Sequence, residues 1–292
     1  MNKEIIESWH SLDSNWKNIL IKSSGRNIFF NQNDESIISL CHSVKKISIS
    51  DQKTVIFPNI LKFLSNLCEL TISKVEKIEY SNLIFCNKLE SIEFWCIPIK
   101  DIEFLTNNKR LKKLSLLSTL VKDLNPLKNC LNIEELRFCE HYLDNEQRIN
   151  DLTPILQLEK LKILHIGKYI KSINSLESLK NLEEFSYRNL ISISFLSKNK
   201  NLKKIFVMGN PGRSEFRDLN GFRNLVQLEM LDISFSNVCS LDELDNLKKL
   251  KVIIIKDTPI DYEHKQFFKR LFGHTEIKRF KRINNAEIRN YK

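Results

Sequence analysis

Residues 111–130 read LKKLSLLSTLVKDLNPLKNC, a leucine-dense stretch without a glycine. Counting from Leu111, apolar residues stand at the third, fifth, tenth, thirteenth and sixteenth places, as Leu114, Leu116, Val121, Leu124 and Leu127, and Cys130 completes the unit. The anchor recurs at Val44, Leu67, Leu89, Leu111, Ile133, Leu161, Leu182, Leu202, Leu228 and Leu250, in steps of 23, 22, 22, 22, 28, 21, 20, 26 and 22 residues. A period of this size marks stacked supersecondary units, none of which can bury an apolar face alone.

Each anchor is followed by an alternating pair: Ile47/Ile49, Leu70/Ile72, Ile92/Phe94, Leu114/Leu116, Leu136/Phe138, Leu164/Ile166, Phe185/Tyr187, Ile205/Val207, Leu231/Ile233 and Ile253/Ile255. Alternation with period two is the signature of a strand buried on one face. The spacing predicts about ten parallel strands, with these pairs inward and the residues between and after them outward.

The pattern LxxLxLxxTxVxxLxPLxxC and the ending LNPLKNC resemble the leucine-rich repeat family, in its short 22-residue class known from bacterial internalins and phosphatase regulatory subunits. The resemblance covers about residues 44–260. It implies an α/β, right-handed leucine-rich repeat solenoid, a horseshoe of about ten parallel-strand repeats. The family's asparagine at the ninth repeat position is matched only by Asn210; Thr119, Ser236 and Thr258 are weak substitutes, and Val75, Ile97 and Leu190 are none.

Open stacks need ends. Residues 1–43 lack the repeat and carry Trp9, Leu12, Trp16, Ile19 and Leu20 at helical spacing, with Asp13 as a start signal and Gly25 as a stop. A second helix is expected after Asp34, burying Ile37, Ile38 and Leu40. Residues 261–292 hold DYEHKQFFKRLFG, an amphipathic stretch closed by Gly273, and TEIKRFKRI as an edge strand. The expected organisation is a helical amino-terminal cap (1–43), a solenoid (44–260) and a basic carboxy-terminal cap and tail (261–292).

The chain has 292 residues, 42% of them apolar, and a net charge of +10. Nine Lys or Arg against four acids place half of that excess in the last 32 residues. No segment reads as a signal peptide or as the roughly 18-residue apolar run of a membrane span, so a soluble, cytoplasmic protein is expected, and the resemblance to internalins implies a bacterial one. Seven cysteines include no CxxC pair, which predicts reduced thiols packed as small apolar residues and neither a zinc module nor a disulfide scaffold.

No nucleotide, metal or hydrolase motif is present, and no cofactor is expected. GNPG at 209–212 lacks the Lys-Ser/Thr of a phosphate loop and reads as a turn. Cys139-Glu140-His141 places a thiol beside an imidazole, but adjacent residues of an extended segment point apart. Arg137, His165 and Ser186 share one outward position in three successive repeats, a binding ladder in place of an enclosed catalytic site.

Outward positions from the third repeat on become large, aromatic and charged: Trp95, Leu117, Arg137, His165, Arg188, Phe206, Met208 and Asp232. Such residues are the usual anchors of protein interfaces. Long fifth and eighth repeats, carrying HYLDNEQR and GNPGRSEFR, add Tyr142, Arg213, His141, Arg148 and Phe216 as flanking residues. The expected function is a non-catalytic module that binds a protein partner through its concave face, possible versions being an inhibitor or an immunity-type partner of an enzyme or toxin. The alternative is nucleic-acid or anionic-surface binding through the basic tail KRFKRINNAEIRNYK.

Overall fold

A computed structural model of the protein describes residues 1–26, 32–139, 149, 151–167, 176–188, 192–209, 214–260 and 287–289. The described chain forms two compact units, Met1–Leu158 and Glu159–Lys292.

The first unit opens with three helices, α1 (Asn2–His10), α2 (Ser14–Ser23) and α3 (Asp34–Ser43). The expected single run from Trp9 to Gly25 is therefore divided. Trp9 belongs to α1, whereas Asp13 starts α2 by accepting a hydrogen bond from the Trp16 N–H at 2.8 Å. An N-cap carboxylate satisfies one of the orphan amides of the first turn and is worth about 1 kcal/mol. Gly25 follows the last turn with φ +73, a backbone conformation that suits glycine. Asn33 caps α3 in the same way, and α3 buries Ile37, Leu40 and Cys41, with Ile38 only half-buried. Trp16 ties α2 to the sheet, donating from Nε1 to the Ile56 carbonyl at 2.9 Å and lying 5.5 Å from the Phe57 ring.

Strands β1 (Lys46–Ile56), β2 (Glu69–Glu79), β3 (Ser91–Trp95), β4 (Lys113–Leu117) and β5 (Glu135–Cys139) follow in the first unit, each parallel to the next. The second unit holds β6 (Ile163–Ile166), β7 (Glu184–Arg188), β8 (Lys204–Met208), β9 (Met230–Asp232), β10 (Val252–Ile254) and β11 (Glu287–Arg289). These too pair in parallel, in chain order. Short 3-10 turns return the chain between most successive strands, as at Asn59–Phe63 and Asn125–Asn129.

The register is that of the repeat. Leu70, Ile92, Leu114 and Leu136 stand beside one another, as do Ile72, Phe94, Leu116 and Phe138. All ten anchors and all ten inward pairs are buried. Cys41, Cys86 and Cys130 share the place three residues before the anchors Val44, Leu89 and Ile133. Burial pushes their thiols up to about 11, 12 and 11, the behaviour of small core residues.

The turn after the strand is also periodic. Asp51, Lys74, Cys96, Ser118, Phe235 and Asp257, each seven residues beyond an anchor, have φ between 51 and 61. In four of these six turns the next residue, at the family's asparagine position, is buried, as Val75, Ile97, Ser236 and Thr258, and Thr258 Oγ1 donates to the Ile255 carbonyl at 2.8 Å. Val75 and Ile97 fill with hydrocarbon the place where the family carries an asparagine.

Two further departures stand out. β1 and β2 have eleven residues each, and their pairing runs from Lys46 beside Glu69 to Ile56 beside Glu79, well beyond the expected triplet. The described closing strand is β11 at Glu287–Arg289, paired with β10, whereas the expected cap helix and the segment TEIKRFKRI lie outside the described residues.

Candidate functional site: the outward face of the sheet

The two outward rows are set by strand register. In the first unit Ser48, Thr71, Glu93, Ser115 and Arg137 are successive cross-strand neighbours, and so are Ser50, Ser73, Trp95, Leu117 and Cys139. Trp95 is 45% exposed, a large ring left open to solvent beside the half-buried Leu117. Lys74 Nζ lies 5.4 Å from the centre of the Trp95 ring and 3.5 Å from Asp51 Oδ1. The ammonium is thereby held over the indole face, where the ring quadrupole attracts it.

Arg137 is fixed by its own strand. Its Nε lies 2.7 Å from Glu135 Oε1, and Glu135 Oε2 lies 3.4 Å from Lys113. The Arg137 Nε–H is buried and makes no hydrogen bond, so the contact is an ion pair whose alignment is poor. The face thus presents an arginine steered by a carboxylate in one row and, two strands away in the other row, an exposed tryptophan.

In the second unit His165, Ser186, Phe206 and Asp232 are cross-strand neighbours, and Arg188 stands beside Met208. His165 Nε2 is 2.7 Å from Glu184 Oε1, and Glu184 Oε2 is 3.3 Å from Lys204 Nζ. Burial pushes the Glu184 carboxyl up, but the hydrogen bonds from His165 and Lys204 outweigh it and hold the group below the usual carboxylate range. The His165 ring meets Phe206 edge to face at 6.3 Å. A carboxylate, an imidazole and a phenyl ring thus brace one another on a half-buried patch. His165 directs its Nε2 at Glu184.

Some expected members have structural contacts of their own or are buried. Asp232 Oδ1 accepts from the Ser234 N–H at 2.9 Å and holds the turn after β9. Ser234 and Ile254, expected outward, are each 4% exposed, and Phe216, expected to flank the patch, is fully buried against Phe222. The phenyl ring of Phe216 supplies core to the long eighth repeat and is withdrawn from solvent. Tyr142, Arg213, His141, Arg148 and the basic tail lie outside the described residues, apart from residues 287–289 in β11. Lys74 and Lys204 were not singled out from the sequence; each belongs to a strand already placed and is found only once neighbouring strands are set in register. Among the described residues no three His, Cys, Asp or Glu side chains gather as a metal site, and no helix is long and apolar enough to cross a membrane.

Comparison with solved structures decides the architecture. Internalin C2 of Listeria monocytogenes superposes with a TM-score of 0.55 at 17% identity, over 86% of this chain and 96% of that one. The fold is that of the leucine-rich repeat proteins. A second internalin of the same organism gives 0.56 at 18% identity over 97% of this chain and 96% of that one. A leucine-rich repeat protein of Leptospira interrogans gives 0.55 at 16% identity over 87% of this chain and 74% of that one. No protein-family model matches the sequence. No curated protein matches it either.

Proposed function

We propose that this leucine-rich repeat protein is a non-catalytic interaction module that binds a protein partner through the outward, concave face of its strands. The observation that carries the reading is the braced patch of the second unit. Phe206 is held against His165, His165 against Glu184, and Glu184 against Lys204, with Arg188 and Met208 in the adjoining row. Side chains already fixed by neighbours lose little rotamer freedom on binding, and the ordering cost of a new interface falls accordingly. Aromatic and arginine anchors then supply most of the binding energy. Trp95 and Leu117 offer a comparable pair in the first unit. Within this reading the finer role is that of an inhibitor or immunity-type partner acting in the cytoplasm.

The test is capture of the partner from the native host by the full chain and by an Arg188→Glu, Phe206→Ala double variant. Loss of a truncated aromatic anchor and reversal of a charge should weaken capture by about a hundred-fold or more. A Lys248→Ala variant, on an exposed turn, should capture the partner normally. Equal capture by the double variant removes this patch from the interface.

A further inference from the structure

A cleft of about 590 Å³ lies between α2 and β1, at the start of the outward face. One wall is a helical stripe: Asn15, Asn18, Ile19 and Lys22 stand at i, i+3, i+4 and i+7 of α2 and all line the cleft. The opposite wall is the outward period of β1, carrying Lys46, Ser48, Ser50 and Gln52. Two regular polar stripes, one with helical period and one with strand period, thus face each other across open space.

The helix does not need this stripe in order to fold. α2 docks through Trp16, Leu20 and Ile21, which are buried, and Trp16 is bonded to the Ile56 carbonyl. The cleft is held open by a helix whose position is fixed on its other side. Among the described residues the side chains of Asn15, Asn18, Lys22, Ser48 and Ser50 have no hydrogen-bond partner. Lys46 is shared with Glu69 at 3.2 Å, and among the described residues no carboxylate lines the cleft. Amide, hydroxyl and ammonium groups in this arrangement offer many donors and an excess of positive charge.

The donors are strung out. From Asn15 to Lys22 the helix rises about 10 Å, the reach of three or four residues of extended chain. A single phosphate would need its donors converging within hydrogen-bond distance of one point, which two parallel stripes do not provide. Ile19 adds an apolar surface against which the methylene stem of a glutamate packs.

We propose that this cleft binds a short, extended acidic peptide segment, with carboxylates bonded to Lys22, Lys46 and the serine hydroxyls. The choice of a protein segment as ligand rests on the interaction reading above; the site itself does not depend on the Arg188 and Phe206 patch. Calorimetric and NMR titrations of the full chain would use the capped tetrapeptide of glutamate, its glutamine counterpart and inorganic phosphate as probes. The glutamate peptide is expected to bind and to shift the backbone amides of Asn18 and Ser50, with affinity falling as salt rises. Lys22→Glu with Lys46→Glu should weaken it by about ten-fold or more, and the milder Asn18→Ala with Ser50→Ala pair by about two- to five-fold. All four side chains are exposed, and unchanged circular dichroism would confirm that the variants fold. Equal binding of the glutamine peptide, equal competition by phosphate, shifts confined to other strands or absence of binding would each overturn the proposal. Arg188→Glu, Phe206→Ala should leave the peptide titration unchanged, so that failure of the cleft and failure of the interaction patch give different results.

Discussion

At the scale of single residues, the repeat is enforced by backbone geometry as much as by leucine. Six described residues seven places after an anchor adopt positive φ, and not one is glycine or asparagine. Such a conformation costs an L-residue about 1 kcal/mol or more. It is held because the chain must turn inward to bury Val75, Ile97 or Thr258 while its amides pair with the neighbouring repeat, as Cys96 N–H does with the Leu117 carbonyl at 2.9 Å. Gly209 occupies the same repeat position for a different reason. Its N–H donates to the Ser234 carbonyl at 3.0 Å, and a Cβ there would lie 2.0 Å from the Phe235 carbonyl oxygen and 2.7 Å from Ser214 Cβ. Backbone cannot yield as a flexible side chain would. We predict that Gly209→Ala destabilises the protein by about 2 kcal/mol or more. Urea unfolding measures this directly, and a midpoint within error of the parent would show that the two turns separate easily.

At the scale of elements, the strands and their inward faces were legible because alternation with a 22-residue period admits one register. Less was legible wherever a position serves two neighbours at once. From the third repeat on, residues just after the anchors read Glu90, Lys112, Glu134, Lys162, Glu183, Lys203, Glu229 and Lys251, an alternation of sign visible only once repeats are stacked. Glu90–Lys112, Glu183–Lys203 and Glu229–Lys251 close to 2.7, 2.7 and 2.6 Å. Asparagines just before anchors form a companion ladder: Asn132, Asn181 and Asn201 each donate to a carbonyl of the preceding repeat at 2.8 to 2.9 Å, and Asn66 donates to the His42 carbonyl of α3 at 2.7 Å. The outward site was legible as positions but not as partners: Glu184 chooses His165 and Lys204 through side-chain reach, which periodicity does not encode. The first helix was missed because its buried apolar residues, Ile5 and Trp9, are too few to make a stripe.

The charge ladder has a pH signature. Hydrogen bonds from Lys112 and Lys251, followed by their charges, hold Glu90 and Glu229 below the usual carboxylate range. A folded pKa below the unfolded one contributes stability that is complete above the unfolded value, about 4.3, and is lost as pH falls through the folded value. Solvent screening keeps each contribution small. The urea midpoint is therefore expected to drop on acidification below about pH 4.3, and to drop less in a Lys112→Met, Lys251→Met variant, whose carboxylates lose the main cause of their lowered titration. Parallel midpoint curves for parent and variant between neutral and acid pH would show that the ladder makes no net contribution.

At the scale of the whole molecule, cohesion comes from contacts between neighbouring repeats. Each described strand pairs with the strand before and after it in its unit, and the ladders likewise link one repeat to the next. For such an array stability approximates a sum of repeat and nearest-neighbour terms, so damage should remain near its origin. Phe94 is a suitable place to test this, being fully buried and 6.3 Å from the Phe104 ring. Phe94→Ala should cost about 3 to 5 kcal/mol through lost transfer energy and the cavity left behind. In native-state hydrogen exchange, protection is expected to fall most in Ser91–Trp95 and in the register neighbours Glu69–Ser73 and Lys113–Leu117, and to recover with each further repeat. An equal loss at every protected amide, including those of Lys204–Met208, would mean that the chain opens as one cooperative body. The nearest-neighbour account would then be wrong, and the outward face would respond as a whole to a change in any one of its strands.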